Sequence, residues 1–466
     1  MLALSKLPVR GRGRARALRF LAVTATMGVA VVFSAYLAAA IFGARGGDPT
    51  AALPGPITPQ LVARGAYLAK VGDCTACHTA PGGGDFAGGL AIASPIGVIF
   101  STNITPDRET GIGAYAYGDF ERAVRQGILK SGRTMYPAMP YPSYSRISDD
   151  DVAALYAYFM HGVAPVSSKD KAEQIVWPLS WRWPLVYWRW FFAPQTRAFA
   201  PGPNEDPVVA RGAYLVEGLG HCGACHTPRA LTMQEEALTP QDGPRYLSGS
   251  EFNGWFAPSL RGEAATGLGR WAGADIEEFL KSGRTDKFAA FGEMGSVVLH
   301  SSQFMTADDR AGIAAFLHTL PPAPGGGRVG GAASPSTKAA AGGGVQGGAQ
   351  TYVDNCAACH QASGTGRASS FPALAGNPVV NTADPTSLIH VVLAGDTEVH
   401  TRAADSRLIM PAFDADLSDR DVANLLTYLR SSWGNRAPPV SPAQVKALRS
   451  ALAEPEPEPE PEPAAK

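Results

Sequence analysis

The chain has 466 residues, 45% hydrophobic and 17% charged, with 52 glycines, 38 prolines and six cysteines. That length and balance suit about three globular domains joined by loops or linkers. The net charge of −1 hides an asymmetry: residues 1–19 carry six basic side chains (Lys6, Arg10, Arg12, Arg14, Arg16, Arg19) and no acid. The remainder holds 34 basic against 41 acidic residues, or −7, and presents no basic surface for nucleic acid.

The basic arm over residues 1–19 leads into FLAVTATMGVAVVFSAYLAAAIFG, Phe20 to Gly43. These 24 uncharged residues would form a helix of roughly 36 Å, enough for a bilayer core. A secretory signal has a shorter apolar region. The expectation is an N-terminal transmembrane anchor over 20–43, with a cleaved signal as the alternative. Either reading puts the chain from residue 45 onward outside the cytoplasm.

Next comes a first domain, expected over 58–162. ARGAYLAKVGDCTACH (Ala63–His78) runs a short helix into a cysteine turn. DFERAVRQGILKSGRT from Asp119 is a middle helix, and SDDDVAALYAYF from Ser148 a closing one with a capping box at its start. A connector over 163–206 contains IVWPLSWRWPLVYWRWFFAP, with five of the eight tryptophans. Arg182 and Arg189 argue against a second membrane span there. The segment reads as a packed connector, or as a docking strip for lipid or a partner subunit.

The pattern then returns over 207–320: ARGAYLVEGLGHCGACH (Ala210–His226), DIEEFLKSGRT from Asp275 and TADDRAGIAAFL from Thr306. A Gly/Ala/Pro linker over 321–348 follows. A looser third copy occupies 349–434: GGAQTYVDNCAACH (Gly347–His360), PTSLIHVVLAGDTE from Pro385 and SDRDVANLLTYL from Ser418. Residues 435–466, ending in repeated Glu-Pro, read as a disordered acidic tail. Strand signals are nearly absent.

All six cysteines fall in three Cys-x-x-Cys-His phrases: Cys74, Cys77 and His78; Cys222, Cys225 and His226; Cys356, Cys359 and His360. That spacing reads as c-type haem attachment. Two thiols on one turn each form a thioether to the haem edge, and the adjoining histidine reaches the iron. Structural zinc needs four ligands, usually from paired cysteine knuckles, and each repeat has a single pair. A thioredoxin-like redox pair needs a strand–helix setting that is missing. Disulfides would not require a histidine at the same offset three times. The fold class is therefore mostly α, three tandem cytochrome c-like haem domains behind an N-terminal transmembrane helix, with three covalently bound haem c groups.

Methionine opposite histidine is the ligand choice for electron transfer because it raises the iron's potential. Met139, nine residues before the cap Ser148, and Met410, eight before Ser418, occupy matching places. In the middle copy Met294 lies twelve before Thr306, whereas Met305 abuts the cap. Met139, Met294 and Met410 are the expected iron ligands. Met135 and Met305 are their rivals, and Met160 and Met233 read as packing residues. His161, His221, His300, His318, His390 and His400 have no partner at ligand spacing and are assigned no iron.

STNITPD (Ser101–Asp107), MYPAMPYPSY (Met135–Tyr144), ARGAYLVEGLGHCGACHTPR (Ala210–Arg229) and GWFAPSL (Gly254–Leu260) together resemble the three-haem cytochrome c subunits of bacterial membrane-bound dehydrogenases. That family includes subunits serving alcohol, gluconate, aldehyde and nicotinate dehydrogenases, and the resemblance covers about residues 58–435. It implies no catalytic residue in this chain. Electrons would leave a separate catalytic dehydrogenase subunit, pass through the haems and reach ubiquinone or a terminal oxidase. The haem domains would lie on the periplasmic side of the bacterial cytoplasmic membrane. The alternatives are a self-sufficient haem enzyme of peroxidase type and a terminal-oxidase cytochrome c subunit.

Overall fold

One sequence pattern written three times gives one helical arrangement built three times. The computed structural model describes residues 12–43, 47–324, 344–404 and 407–453. A long helix α1 (Arg12–Gly43) comes first. In the first segment α2 (Pro59–Val71) runs into the short cysteine helix α3 (Cys74–His78), followed by α4 (Tyr117–Gln126), α5 (Tyr141–Tyr144) and α6 (Asp149–His161). The connector forms α7 (Trp183–Phe192). The second segment repeats the order with α8 (Pro207–Tyr214), α9 (Gly223–His226), α10 (Gly273–Ser282), α11 (Glu293–His300) and α12 (Ala307–His318). The third has α13 (Gly344–Asn355), α14 (Ala357–His360), α15 (Pro378–Asn381), α16 (Thr386–Ala394) and α17 (Asp419–Ser431). Small antiparallel sheets join the loops: β1 (Ala91–Ser94), β2 (Gly97–Phe100) and β3 (Gln174–Ile175); β4 (Ser250–Phe252) with β5 (Trp255–Ala257); and β6 (Asp396–Thr397) with β7 (Ile409–Met410). They are too short to show in a hydrophobic alternation.

The closing helices start where the sequence places them. Ser148, Thr306 and Ser418 each accept the N–H of the aspartate three residues on, Asp151, Asp309 and Asp421. Opening and closing helices of each segment cross at a glycine. A Cβ on Gly65 would overlap the carbonyl of Ala154, on Gly212 that of Gly312, and on Gly348 that of Asn424. Backbones approach this closely only where one helix has no side chain.

The first and second segments share one core, in which Leu68, Leu155 and Phe159 join Leu215, Leu219, Ile313 and Phe316. Their contact is reciprocal. Arg64 Nε donates to Asp151 at 2.7 Å, and Arg211 grips Asp309 with two bonds of 2.7 and 2.9 Å. Across the joint Tyr67 donates to Asp309 while Tyr214 donates to Asp151. Burial works against the charge of Asp309, but Arg211 and Tyr67 outweigh it and hold its carboxyl below the ordinary range. Gly347 and Gln350 occupy the corresponding places of the third copy, so it cannot make this joint. It has its own core around Leu388, Leu425 and Leu426. It docks on the second segment through Trp255 stacked on His390 (3.7 Å), Ser387 bonded to both backbone groups of Phe256, and a buried Arg284–Glu398 pair at 3.0 Å.

Two expectations need correction. Among the described residues no helix is long and apolar enough to cross a membrane, so the transmembrane helix expected over 20–43 is withdrawn. Thr24, Thr26, Gly28 and Ser34 interrupt the aliphatic side chains of α1. α1 lies against α7 instead, where Tyr187 donates to the Ala35 carbonyl at 2.6 Å. Second, part of the tail expected to be disordered from 435 is folded. Residues 442–453 form α18 (Pro442–Ala453), with Val445 fully buried in the third core and Arg449 bonded to Asp419 at 2.8 Å. Aliphatic Val445 and Leu448 at helical spacing explain it. The start of the basic arm (1–11), most of the linker (325–343) and the Glu-Pro repeat (454–466) lie outside the described residues.

Candidate functional site

Each cysteine turn follows directly on an opening helix, so the helix packing fixes where the two thiols and the histidine sit. The three histidines are held alike. His78 Nδ1–H donates to the Thr102 carbonyl at 2.7 Å, His226 to Pro258 at 2.7 Å and His360 to Pro372 at 2.9 Å. That bond commits the proton to Nδ1 and leaves the Nε2 lone pair for a metal. Each histidine's own carbonyl accepts the N–H of a glycine, Gly88, Gly249 or Gly366, at 2.8, 2.8 and 3.0 Å. All three glycines have positive φ. At Gly88 and Gly366 a Cβ would strike the very backbone that supplies the carbonyl, so glycine is required for the histidine to be clamped. Burial pushes all three imidazoles below their ordinary pKa, against the hydrogen bond to the carbonyl, and favours the neutral form that ligates metals.

None of the six cysteines is in a disulfide. Burial pushes Cys74, Cys222 and Cys225 up to about 12, and Cys77 and Cys356 up to about 11. At neutral pH these are neutral thiols, unlike thiolates prepared for zinc or for disulfide exchange. Among the described residues no group of three or more His, Cys, Asp and Glu side chains converges to hold a metal ion. Protein donors alone therefore do not complete a metal shell. Two unpaired thiols beside one imidazole with a free Nε2 fit a covalently held haem, whose ring supplies the remaining equatorial donors.

The methionines fall into two kinds. Met139, just ahead of α5, and Met410, on β7, each pack against a core with part of the side chain still open; Met294, at the start of α11, is half-buried. Met305 is 8% exposed, enclosed by protein within the shared core. Met135 is half-buried, with its N–H on the Gly127 carbonyl. Met160 packs on the core and Met233 is exposed. The fold also brings α11, the helix of Met294, alongside α3 of the first segment. His390 is taken up in stacking on Trp255, and His221 touches Tyr144.

Sequence reasoning missed the carbonyls of Thr102, Pro258 and Pro372. A faint signal exists in the related phrases FAPSL around Pro258 and FPAL around Pro372.

Fold and site together define a protein that carries haem through thioether bonds. A family model described as Cytochrome c matches residues 62–162, 209–321 and 345–433, and the chain belongs to this family; its cofactor is covalently bound haem c. It is similar to the cytochrome c subunit of alcohol dehydrogenase (quinone) from Gluconacetobacter polyoxogenes, with 51% identity over 415 residues, 88% of each chain. It is 53% identical over 381 residues to the gluconate 2-dehydrogenase cytochrome c subunit of Pantoea cypripedii, covering 81% of this chain and 86% of the relative. A diheme cytochrome c-type protein of Cereibacter sphaeroides is 34% identical over 273 residues, covering 55% of this chain and 85% of the relative.

Proposed function

We propose that the chain is the electron-transfer subunit of a quinone-linked dehydrogenase complex and carries three haem c groups, one in each segment. The observation that carries this reading is the threefold repetition of one clamp: two unpaired thiols, a histidine tied through Nδ1 to a carbonyl, and a glycine N–H on that histidine's own carbonyl. When bound, haem iron supplies one-electron exchange between Fe(II) and Fe(III). The chain's residues do the rest. Cys74 and Cys77, Cys222 and Cys225, and Cys356 and Cys359 tether the ring edges. His78, His226 and His360 would present Nε2 to the iron, and Met139, Met294 and Met410 would supply thioether ligands, which raise its potential. The apolar cores against which Met139 and Met410 pack would help to exclude water from the metal.

The similarity to named dehydrogenase subunits over more than four-fifths of the chain supports a catalytic dehydrogenase as partner, with ubiquinone or a terminal oxidase receiving the electrons. The basic arm and apolar stretch at the N-terminus have the pattern of an export sequence, which supports haem segments on the periplasmic side of the cytoplasmic membrane. Trp177, Trp181, Trp190 and Phe191, all exposed on the connector, are the side chains suited to meeting a membrane surface or the partner. The test is co-expression with the neighbouring dehydrogenase subunit in a host that attaches c-type haem. The two should co-purify, and the dehydrogenase's substrate should reduce the haems. An active dehydrogenase that binds this chain yet leaves its haems oxidised refutes the proposal.

A further inference from the structure

The cysteine turns of the first and second segments are joined by a contact that the third lacks. Tyr144, 7% exposed, stands between them. Its hydroxyl donates to the carbonyl of Gly72, two residues before Cys74, at 3.3 Å. The edge of its ring meets the imidazole of His221, the residue before Cys222, with centroids 5.7 Å apart and planes at 83°. His221 is itself fixed by an Nδ1–H bond of 3.0 Å to the Leu219 carbonyl. The Leu219 side chain lies against Gly72, where a Cβ would come within 2.9 Å of Leu219 Cδ1. Ser301 of the second segment closes the same seam by donating to the Val71 carbonyl at 3.0 Å. Tyr144, Leu219 and Ser301 thus gather around Val71 and Gly72 just before Cys74, and Tyr144 reaches from there to His221 just before Cys222.

The third segment meets the second elsewhere. Its contacts include the Gly292 N–H facing Asp396, the β-partner of Met410, at 3.5 Å, Trp255 covering His390, and the Ala373 N–H donating to the Lys287 carbonyl at 2.7 Å. No aromatic bridge among the described residues connects the His360 turn to the His226 turn.

We propose that Tyr144 and His221 are positioning residues that set the spacing and electronic coupling of the first and second haem sites, so that these two behave as an interacting pair and the third as a separate centre. This rests on the haem-carrying function proposed above. The exchange between the paired sites balances simply: one electron leaves the iron at one site, Fe(II) becoming Fe(III), and converts Fe(III) to Fe(II) at the other, with no proton moved.

The test uses the full chain with its haems attached. In potentiometric titration of the unaltered protein, two haems should depart from independent one-electron behaviour through mutual interaction, while the third titrates alone. In Tyr144→Leu, internal electron redistribution within the pair after photoreduction should slow by about tenfold, with exchange to the third haem unchanged. Tyr144→Phe, which keeps the ring and loses only the bond to Gly72, should retain near-normal exchange. His221→Leu carries the same test from the other segment if Tyr144→Leu fails to load haem. Three independent titrations in the unaltered protein, or a fully loaded variant that redistributes at the normal rate, would overturn the proposal. A chain that takes up no haem in a competent host would instead overturn the function on which it rests.

Discussion

Each cysteine turn ends on a histidine whose two ring nitrogens have separate tasks. Nδ1–H is spent on the carbonyl of Thr102, Pro258 or Pro372, which leaves Nε2 for the iron of the proposed haem. The Cys-x-x-Cys-His phrases stand out in the sequence because thioether attachment of haem c calls for that spacing. The carbonyls do not, because every residue type has one and these three lie 24, 32 and 12 residues beyond their histidines. The methionines stand between these cases. Met139 and Met410 were selected by their offset from a helix cap, and the half-open side chains of Met139, Met294 and Met410 contrast with the enclosed Met305. At this scale Met410→Ala should lower the reduction potential of the third haem and leave all haems attached, because the thioether that favours Fe(II) is gone. Redox titration reads the shift; unchanged potentials would remove Met410 from the ligand set.

Helices in this chain are specified at their ends and at their crossings. The end signals, Ser or Thr with Asp three residues later, were legible and sit where expected. The crossings were not, since a glycine inside a helix reads only as a weak point until the facing carbonyl is seen. Gly348→Val should force Asn424 away from α13 and cost about 2 kcal/mol, visible as an earlier denaturant midpoint for the third segment. The repeated Ala-Arg-Gly-Ala-Tyr phrase was recognised as a repeat, but its purpose was hidden because Tyr67 finds Asp309 across 242 residues of sequence. Tyr67→Phe and Tyr214→Phe should each loosen the joint by about 1.5–3 kcal/mol, the worth of a hydrogen bond to a charged acceptor. The double variant should show whether the two halves of the joint act together. Equal stability in the single variants would mean that the shared core alone holds the segments.

At the scale of the molecule, the first and second segments are one body with a common core, and the third is a separate body docked through polar and stacked contacts. The mostly helical character was legible from periodicity. The shared core was not, because Leu68 and Leu219 look alike in sequence whether they bury against their own segment or the neighbouring one. Apolar composition at the N-terminus suggests a span, but among the described residues no helix is long and apolar enough to cross a membrane, and α1 rests on the connector helix α7. The folded part of the tail was obscured by the Glu-Pro repeat that follows it. Everything in this description depends on haem being bonded to six cysteines. Intact mass spectrometry of the mature chain, made in a host able to attach c-type haem, measures that directly. The account predicts a mass above the polypeptide's by three haems, falling by one haem when Cys356 and Cys359 are both replaced by alanine; a mass equal to that of the bare polypeptide would contradict it.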